Sequence, residues 1–259
     1  MIWSTTSDAG AFLAEATGFL AVDPVAHAGL LSEAGYLGAR SDTAARFGVR
    51  RDDAGAVAAA FVAAPRHPML ISRCPGTAVS DLPPADALEV DARDVHHLID
   101  GGGWAEAGRV RLHRLRERAD PDPRGVDPLG SARVAGDADR PLLAAWYSDL
   151  LRGLADDATD LAFLVDEPLS CGGAVLWKRR GTPLGVAVRT RPVSGVTKVT
   201  AAWSPTDPAY ADAAFLAACA VARGGAATVV AVDRAGADDS LLRSAGFAPE
   251  AERVLLVRA

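Results

Sequence analysis

The sequence has few cysteines, and none of them is placed like a metal ligand. Cys74, Cys171 and Cys219 are scattered through 259 residues, odd in number and without cysteine or histidine ligands at metal spacing. This pattern argues against disulfide-stabilised secreted scaffolds and against zinc modules. We interpret the three residues as reduced thiols of a cytoplasmic protein and expect no metal site.

Long apolar runs and an excess of positive charge are also missing. No stretch of about 18 apolar residues occurs, and no basic region followed by an apolar run opens the sequence, so we expect neither a membrane span nor a secretion signal. Lys and Arg number 27 against 33 Asp and Glu, for a formal net charge of −6. An acidic chain is not a general polyanion binder, so DNA is not an expected partner.

The chain is long and apolar enough for two hydrophobic cores. Hydrophobic residues make up 49% of its 259 residues, and domains are typically about 100–150 residues long. Residues 120–130 include Pro121, Pro123 and Pro128, which is typical of a linker. We therefore predict an N-terminal domain over residues 1–119, a linker over 120–130 and a C-terminal domain over 131–259.

The clearest structural pattern lies between residues 196 and 233. The segment Val196–Trp203 predicts a strand, the Ala-rich residues 209–223 predict a helix, and the β-branched run in residues 227–233 predicts a second strand. A turn at residues 204–208 joins the first strand to the helix. The result is a βαβ unit, and the fold class is α/β with a mixed sheet.

Other segments carry weaker patterns of the same kinds. In the first half, the sequence predicts helices from the Ser7–Asp8 cap to residue 21 and over residues 24–34, 85–92 and 95–99. It also predicts a hairpin of residues 47–50 with 56–64 and strands over residues 68–72 and 109–118. The second half predicts a helix over 139–153, a short segment over 161–165, a hairpin of 174–178 with 183–189, a helix ending at 240–247 and a closing strand over 253–258.

The order of these later elements, with Leu241 and Gly246–Phe247 at the end of the last helix, resembles the core of the GCN5-related N-acetyltransferase superfamily. Residues 133–143 are similar to the family's first strand and helix, so the resemblance covers roughly residues 131–259. The N-terminal half resembles a trimmed, diverged copy of the same core, which implies tandem domains. The resemblance implies transfer of an acyl group to an amine, with the donor's carbonyl held by splayed fourth and fifth strands near Ala201 and Ala202.

Two functional motifs of the family are absent. The family normally places an Arg/Gln-x-x-Gly-x-Gly/Ala loop after its fourth strand to bind the coenzyme A pyrophosphate. Here residues 204–222 contain no glycine, lysine or arginine, and they include Asp207 and Asp212. The family's general-acid tyrosine is replaced by Leu242, which cannot donate a proton. Acetyl-coenzyme A bound in the usual way is therefore not the expected donor.

Several side chains are candidates for the chemistry, each with a structural alternative. Asp233 could deprotonate the amine or cap a turn, and Asp166 and Glu167 could position the amine or face solvent. Tyr210 could offer a proton donor or pack in the core. The remaining candidates are Trp203 and Ser204, which with Ala201 and Ala202 would line the donor site, and Cys171, either a nucleophile or a plain thiol.

Two groups of basic residues could contact donor phosphates, or could be solvated surface. The first group comprises Arg109, Arg111, Arg114, Arg116, Arg118 and Arg124. The second comprises Lys178, Arg179 and Arg180, with Arg189, Arg191 and Lys198 on nearby strands.

Two functions follow from these observations. The first is an acyltransferase that moves an acyl or aminoacyl group onto a small-molecule amine, with aminoacyl-tRNA, an acyl carrier protein or unusually bound acyl-coenzyme A as donor. The second is a non-catalytic binding or scaffolding protein that kept the fold and lost the site.

Overall fold

The computed structural model describes residues 3–40, 44–74, 82–100, 103–117, 120–152 and 161–259. Their strands are β1 (Trp3–Thr6), β2 (Arg46–Arg51), β3 (Val57–Ala63), β4 (Met69–Ile71), β5 (Ala87–Asp91), β6 (Trp104–Leu115), β7 (Gly130–Val134), β8 (Ala174–Arg179), β9 (Thr182–Arg189), β10 (Val196–Trp203), β11 (Thr228–Arg234) and β12 (Phe247–Arg258). Their α-helices are α1 (Ala9–Leu20), α2 (Ala28–Arg40), α3 (Val95–Asp100), α4 (Arg140–Arg152), α5 (Glu167–Ser170), α6 (Pro208–Gly225) and α7 (Ser240–Ser244), with a π-helix at Ala162–Asp166. No helix in these ranges is long and apolar enough to cross a membrane.

The chain divides into two compact units that are discontinuous in sequence. The first unit comprises Met1–His113, Asp233–Ala237 and Pro249–Ala259, and the second comprises Arg114–Val232 and Asp238–Ala248. The predicted linker falls in the second unit, where Pro123–Gly125 form a 3-10 turn. The predicted domain bounds and the tandem arrangement stay predictions.

The first unit is a mixed sheet with helices α1 and α2. Its strand order is β1-β2-β3-β4-β5-β12-β6, and among the pairs with a defined register only β4 and β5 run parallel. Helix α1 starts where the Asp8 carboxylate accepts hydrogen bonds from the backbone N–H groups of Gly10 (2.8 Å) and Ala11 (3.0 Å). Phe12 and Leu20 of this helix are buried.

A buried arginine ties the chain's last strand to the middle of this sheet. Arg253 on β12 is 2% exposed, and its guanidinium donates to Glu89 Oε1 (3.0 Å), Glu89 O (2.6 Å) and Ile71 O (2.8 Å). These bonds join β12 to β5 and β4 although more than 160 residues separate the partners in sequence. A buried charge requires such a full set of partners.

The second unit is a sheet covered on both faces. Its strand order is β11-β10-β9-β8-β7, with β10 and β11 parallel and the other pairs antiparallel. Helix α6 packs on one face against Trp177 and Val199, whereas α4 and the π-helix pack on the other face against Leu176 and Val186. Alternate strand residues point to opposite faces, so β8 supplies both cores. A Cβ atom at Gly185 would lie 2.2 Å from Tyr210 O, so this position requires glycine for α6 to approach β9.

Most of the predicted elements are confirmed, including β10, α6, both hairpins and the parallel β10–β11 pair. Two predictions in the first unit are wrong. The helix predicted over residues 24–34 begins at Ala28, because Asp23 caps a separate turn through Ala26 N (3.3 Å). The helix predicted over residues 85–92 is strand β5, in which Leu88 and Val90 are buried on one face. The predicted end of α4 at Gly153 lies outside the described residues.

A buried histidine makes the first unit sensitive to pH. His27 is 3% exposed, its Nδ1 lies 3.1 Å from Leu20 O, and burial lowers its pKa from 6.5 despite nearby Asp23 and Asp91. Because the folded pKa lies below the unfolded value, the unfolded chain binds more protons between the two, and stability falls as the pH drops below about 6.5.

We therefore expect His27→Asn, which keeps a donor toward Leu20 O, to remove part of the stability loss between pH 7.5 and pH 5. The loss attributable to one proton is at most about 1.4 kcal/mol per pH unit. Urea unfolding of both proteins at the two pH values measures it. Equal pH dependence in the two proteins would show that His27 does not contribute.

Candidate functional site

The candidate site begins where strands β10 and β11 stop pairing. Their parallel register runs from Val196 opposite Thr228 to Val199 opposite Ala231. Strand β10 continues to Trp203 without a register partner on β11 among the described residues. The carboxyl ends of parallel strands are where open α/β sheets bind ligands. The opening thus lies at the ligand-binding end of the strand pair.

A β-bulge distorts β10 at the same place. Thr200 is opposite Val188 and Trp203 is opposite Val186. Strand β10 thus advances three residues where β9 advances two, and it carries one extra residue. Ala201, in the bulge, has a φ of 49°, a left-handed conformation uncommon for a residue with a side chain. Strained backbone of this kind is concentrated at binding and catalytic sites.

A buried tyrosine holds the bulge. Tyr147 on α4 is fully buried, and its hydroxyl donates a 2.8 Å hydrogen bond to Ala201 O. Burial raises the pKa of Tyr147 well above its usual range, so the hydroxyl remains a donor at neutral pH. The sequence predicts the helix over residues 139–153 but not this contact, because the partner of Tyr147 is 54 residues away.

The turn between β10 and α6 uses its own backbone donors. Ser204 Oγ accepts from Thr206 N (3.3 Å) and Asp207 N (3.2 Å), and Asp207 Oδ1 accepts from Ala209 N (2.9 Å). Tyr210 N donates to Asp207 O (3.0 Å). Pro205 and Pro208 have no N–H. The groups that could contact a pyrophosphate at this helix N-terminus are therefore occupied or absent.

The charges at the start of α6 also disfavour a bound pyrophosphate. Burial, and then the nearby Asp207 charge, raise the pKa of Asp212. A carboxylate whose ionisation is already disfavoured by a like charge would be disfavoured further by a phosphate. The two aspartates at the start of α6 are therefore expected to disfavour a bound anion.

The residues predicted to line the donor site lie on both faces of β10. Ala201 and Trp203 pack against the α4 core, whereas Ala202 and Tyr210 pack against the α6 core. Tyr210 makes no side-chain hydrogen bond within the described residues, and its proposed role as a proton donor stays a prediction.

The acidic pair Asp166 and Glu167 is held by arginines. Arg140 Nε donates to Asp166 Oδ1 (2.7 Å), and Arg191 Nε donates to Glu167 Oε1 (2.8 Å). Cys171 follows in the same segment, and burial raises the pKa of its thiol, which disfavours the nucleophilic thiolate. The structure brings these residues together, and their role toward an amine stays a prediction.

In the first unit, Asp233 also has basic side chains around it. Its Oδ1 lies 3.0 Å from Nε2 of His113, which is fully buried, and its Oδ2 lies 3.4 Å from Nη2 of Arg111. Asp233 is thus neither a bare carboxylate nor simply a turn cap. His113 was missed by sequence reasoning because 120 residues separate the partners.

The first basic group is partly neutralised. Arg109 pairs with Glu106 (3.0 Å) and Glu252 (3.1 Å). Arg111 lines a cavity of about 360 Å³ whose wall also carries Arg93 and the carboxylates of Asp91, Glu250 and Glu252. The wall is therefore mixed in charge, and contact of this basic group with donor phosphates stays a prediction. Arg118 lies outside the described residues.

The other predicted basic residues belong to the second unit. Arg114 is half-buried, and Arg116 is exposed just past β6. Lys178 is half-buried on β8, Arg179 lies 3.9 Å from the Asp127 carboxylate, and Arg180 is exposed in the β8–β9 turn. Their contact with donor phosphates stays a prediction. Within the described ranges, no group of three His, Cys, Asp or Glu is placed to hold a metal ion.

Solved structures share this fold. The chain is similar to a Drosophila protein (12% identity, 100% of this chain and 98% of that one, TM-score 0.63). It is also similar to a GCN5-related N-acetyltransferase from Sphaerobacter thermophilus (13% identity, 98% of this chain and 94% of that one, TM-score 0.58). A GNAT-family acetyltransferase from Colwellia psychrerythraea is similar as well (9% identity, 100% of this chain and 99% of that one, TM-score 0.58). No protein-family model and no curated protein sequence matches. The likeness confirms the predicted GNAT fold.

We expect Tyr147→Phe to lower the free energy of unfolding by about 1–2 kcal/mol, because it leaves Ala201 O without its buried donor. Tyr210→Phe is the matched control, because it removes a hydroxyl that bonds to none of the described residues. Chemical denaturation measures both. Equal stabilities of the two variants would show that the Tyr147 hydroxyl does not hold the bulge.

Proposed function

We propose that the protein is an acyltransferase that moves an acyl or aminoacyl group onto the amine of a small-molecule acceptor. The observation that carries the proposal is the bulge at Ala201 beside the opening between β10 and β11. A bulge leaves backbone groups outside the ladder, where they can bind a ligand. The GNAT fold of the acetyltransferase neighbours supports acyl transfer in general.

In the proposed reaction, the amine nitrogen attacks the donor's carbonyl carbon. The carbonyl oxygen gains negative charge, and backbone N–H groups at the bulge would stabilise it. The bond to the leaving sulfur or oxygen then breaks, the leaving group takes up a proton, and the amine nitrogen loses one. Holding the two reactants in place contributes much of such catalysis, and the rigid, doubly packed β10 is suited to that task.

The donor we propose does not place a pyrophosphate at the start of α6. The occupied donors there, the two prolines and the two aspartates support this view. Aminoacyl-tRNA is the donor we favour, because its many phosphates could contact exposed arginines away from this turn, such as Arg116 and Arg180.

A non-catalytic binding protein is the alternative function. Its support is that Leu242 stands where the family's tyrosine would donate a proton, and that Asp166 and Glu167 are ion-paired. Both carboxylates are thus engaged in ion pairs, and a scaffold needs no base at all. Transfer of a labelled aminoacyl group to any amine would exclude this alternative.

We expect calorimetry to show no micromolar binding of coenzyme A. Asp212→Lys replaces a repelling charge by an attracting one and should improve coenzyme A affinity by about tenfold. Asp53→Lys, at an exposed carboxylate in the β2–β3 turn of the first unit, is the charge-matched control. Micromolar affinity in the unmodified protein, unchanged by Asp212→Lys, would contradict the proposed donor mode.

Salt dependence tests the aminoacyl-tRNA donor. Each arginine that contacts a phosphate contributes about 0.7–0.9 to the slope of log binding constant against log salt concentration. The double variant Arg116→Ala and Arg180→Ala should therefore flatten this slope for aminoacyl-tRNA binding by about 1.4–1.8. Its melting temperature should stay unchanged, because exposed charges contribute little to folding. Arg152→Ala removes an equally exposed arginine of the second unit and should leave the slope as it is. A slope equal in all three proteins would exclude these contacts.

A further inference from the structure

Trp203, the last residue of β10, carries a buried hydrogen-bond donor without a partner. Its indole Nε1 is inaccessible to solvent and lies within reach of no acceptor among the described residues. Trp177 on β8 shows the usual arrangement, because its Nε1 donates to Asp127 Oδ2 at 2.9 Å. Roughly nine in ten buried polar groups are paired, so an unpaired one calls for an explanation.

Packing alone does not explain a tryptophan at this position. A phenylalanine would supply an aromatic ring to the α4 core without leaving a donor unpaired, and an unpaired buried donor destabilises the fold. The indole N–H is therefore the feature that distinguishes Trp203 from a purely structural residue. A ligand that brought an acceptor would remove the penalty.

Trp203 lies in the same layer of side chains as the bulge. Ala201 and Trp203 pack against one core cluster, and that cluster contains Tyr147, whose hydroxyl holds Ala201 O. The turn that follows has few free N–H groups for a ligand, because its backbone donors are satisfied within the turn. The Trp203 N–H is therefore an unused donor, and a ligand at the end of β10 would reach it by displacing side chains that cover it.

The surroundings favour a neutral acceptor. The cluster around Trp203 consists of apolar and aromatic side chains, including Leu142, Leu143 and Trp146. A carboxylate or phosphate placed there would lose its hydration without gaining a counter-charge. A carbonyl oxygen accepts an N–H hydrogen bond at a much smaller desolvation cost.

We infer that the indole N–H of Trp203 donates a hydrogen bond to a carbonyl oxygen of the bound acyl donor. This inference rests on the acyltransferase function proposed above and names Trp203 as a binding residue for its donor. The carbonyl could belong to a thioester and amide arm or to an aminoacyl group on adenosine, which share this chemistry.

Indole N–H resonances of ¹⁵N-labelled full-length protein test the inference directly. The chain has five tryptophans, and Trp203→Phe assigns the Trp203 signal by its loss. The two probes are S-acetyl-N-acetylcysteamine, a phosphate-free thioester, and a 3′-aminoacylamino-3′-deoxyadenosine. We expect the Trp203 indole proton to move downfield on binding, and more than the other four. The probe that produces this shift identifies the source of the carbonyl.

Two variants separate a ligand contact from a structural role. Trp203→Phe should bind the effective probe about 3- to 10-fold more weakly than the unmodified protein. Both variants lose packing of the larger ring, but Trp203→Phe loses no hydrogen bond and should therefore melt higher than Trp177→Phe. Trp177→Phe removes a paired N–H and should lower the melting temperature while leaving affinity unchanged.

The outcomes distinguish the two proposals. If a probe binds, but the Trp203 signal stays in place and Trp203→Phe binds equally well, the inference is wrong and the acyltransferase function stands. If Trp203→Phe melts as low as Trp177→Phe, the indole N–H has a structural partner and the inference is also wrong. If neither probe binds the unmodified protein, the inference and the proposed donor classes both fail.

Discussion

The left-handed backbone of Ala201 is the constraint on which the candidate site depends. Such a conformation costs roughly 1–2 kcal/mol for a residue with a side chain, and the Tyr147 hydrogen bond offsets about 1 kcal/mol of it. The extra residue shifts the register against β9, and beyond it β10 no longer pairs with β11. Helix α4 thus shapes the end of β10 from one face while α6 packs on the other.

The start of α6 shows how helix capping can conflict with phosphate binding. Both use the same unpaired N–H groups of the first turn. In this chain the Asp207 cap and Pro208 stabilise the helix, and Ser204 satisfies the turn before it. A glycine-rich loop would leave those donors free for a ligand at the cost of a weaker cap. The acyl donor must therefore be recognised through other groups if the protein is an enzyme.

The sequence predicts elements well where local pattern and tertiary context agree. The β-branched run of β10 and the Ala-rich run of α6 are consistent with their burial, and both are confirmed. Residues 85–92 were mistaken for a helix because alanine favours helices, whereas pairing with β12 decides their conformation. The Tyr147 bond to Ala201 and the His113 bond to Asp233 join residues far apart in sequence. No spacing rule encodes such pairs, so this part of the site was not predictable.

The clusters of arginines in the sequence were a poor guide to a binding surface, because the sequence does not show which arginines form ion pairs. Arg109 and Arg191 each form ion pairs, so part of the basic groups serves the fold. Arg140 and Arg191 likewise engage the carboxylates of Asp166 and Glu167 in ion pairs. If these two carboxylates take no proton, the proposed reaction relies on orienting the carbonyl and the amine. Activated donors such as thioesters and aminoacyl esters require little beyond correct orientation, because their leaving groups depart readily. The paired carboxylates and the bulged strand are therefore both compatible with the acyl transfer proposed above.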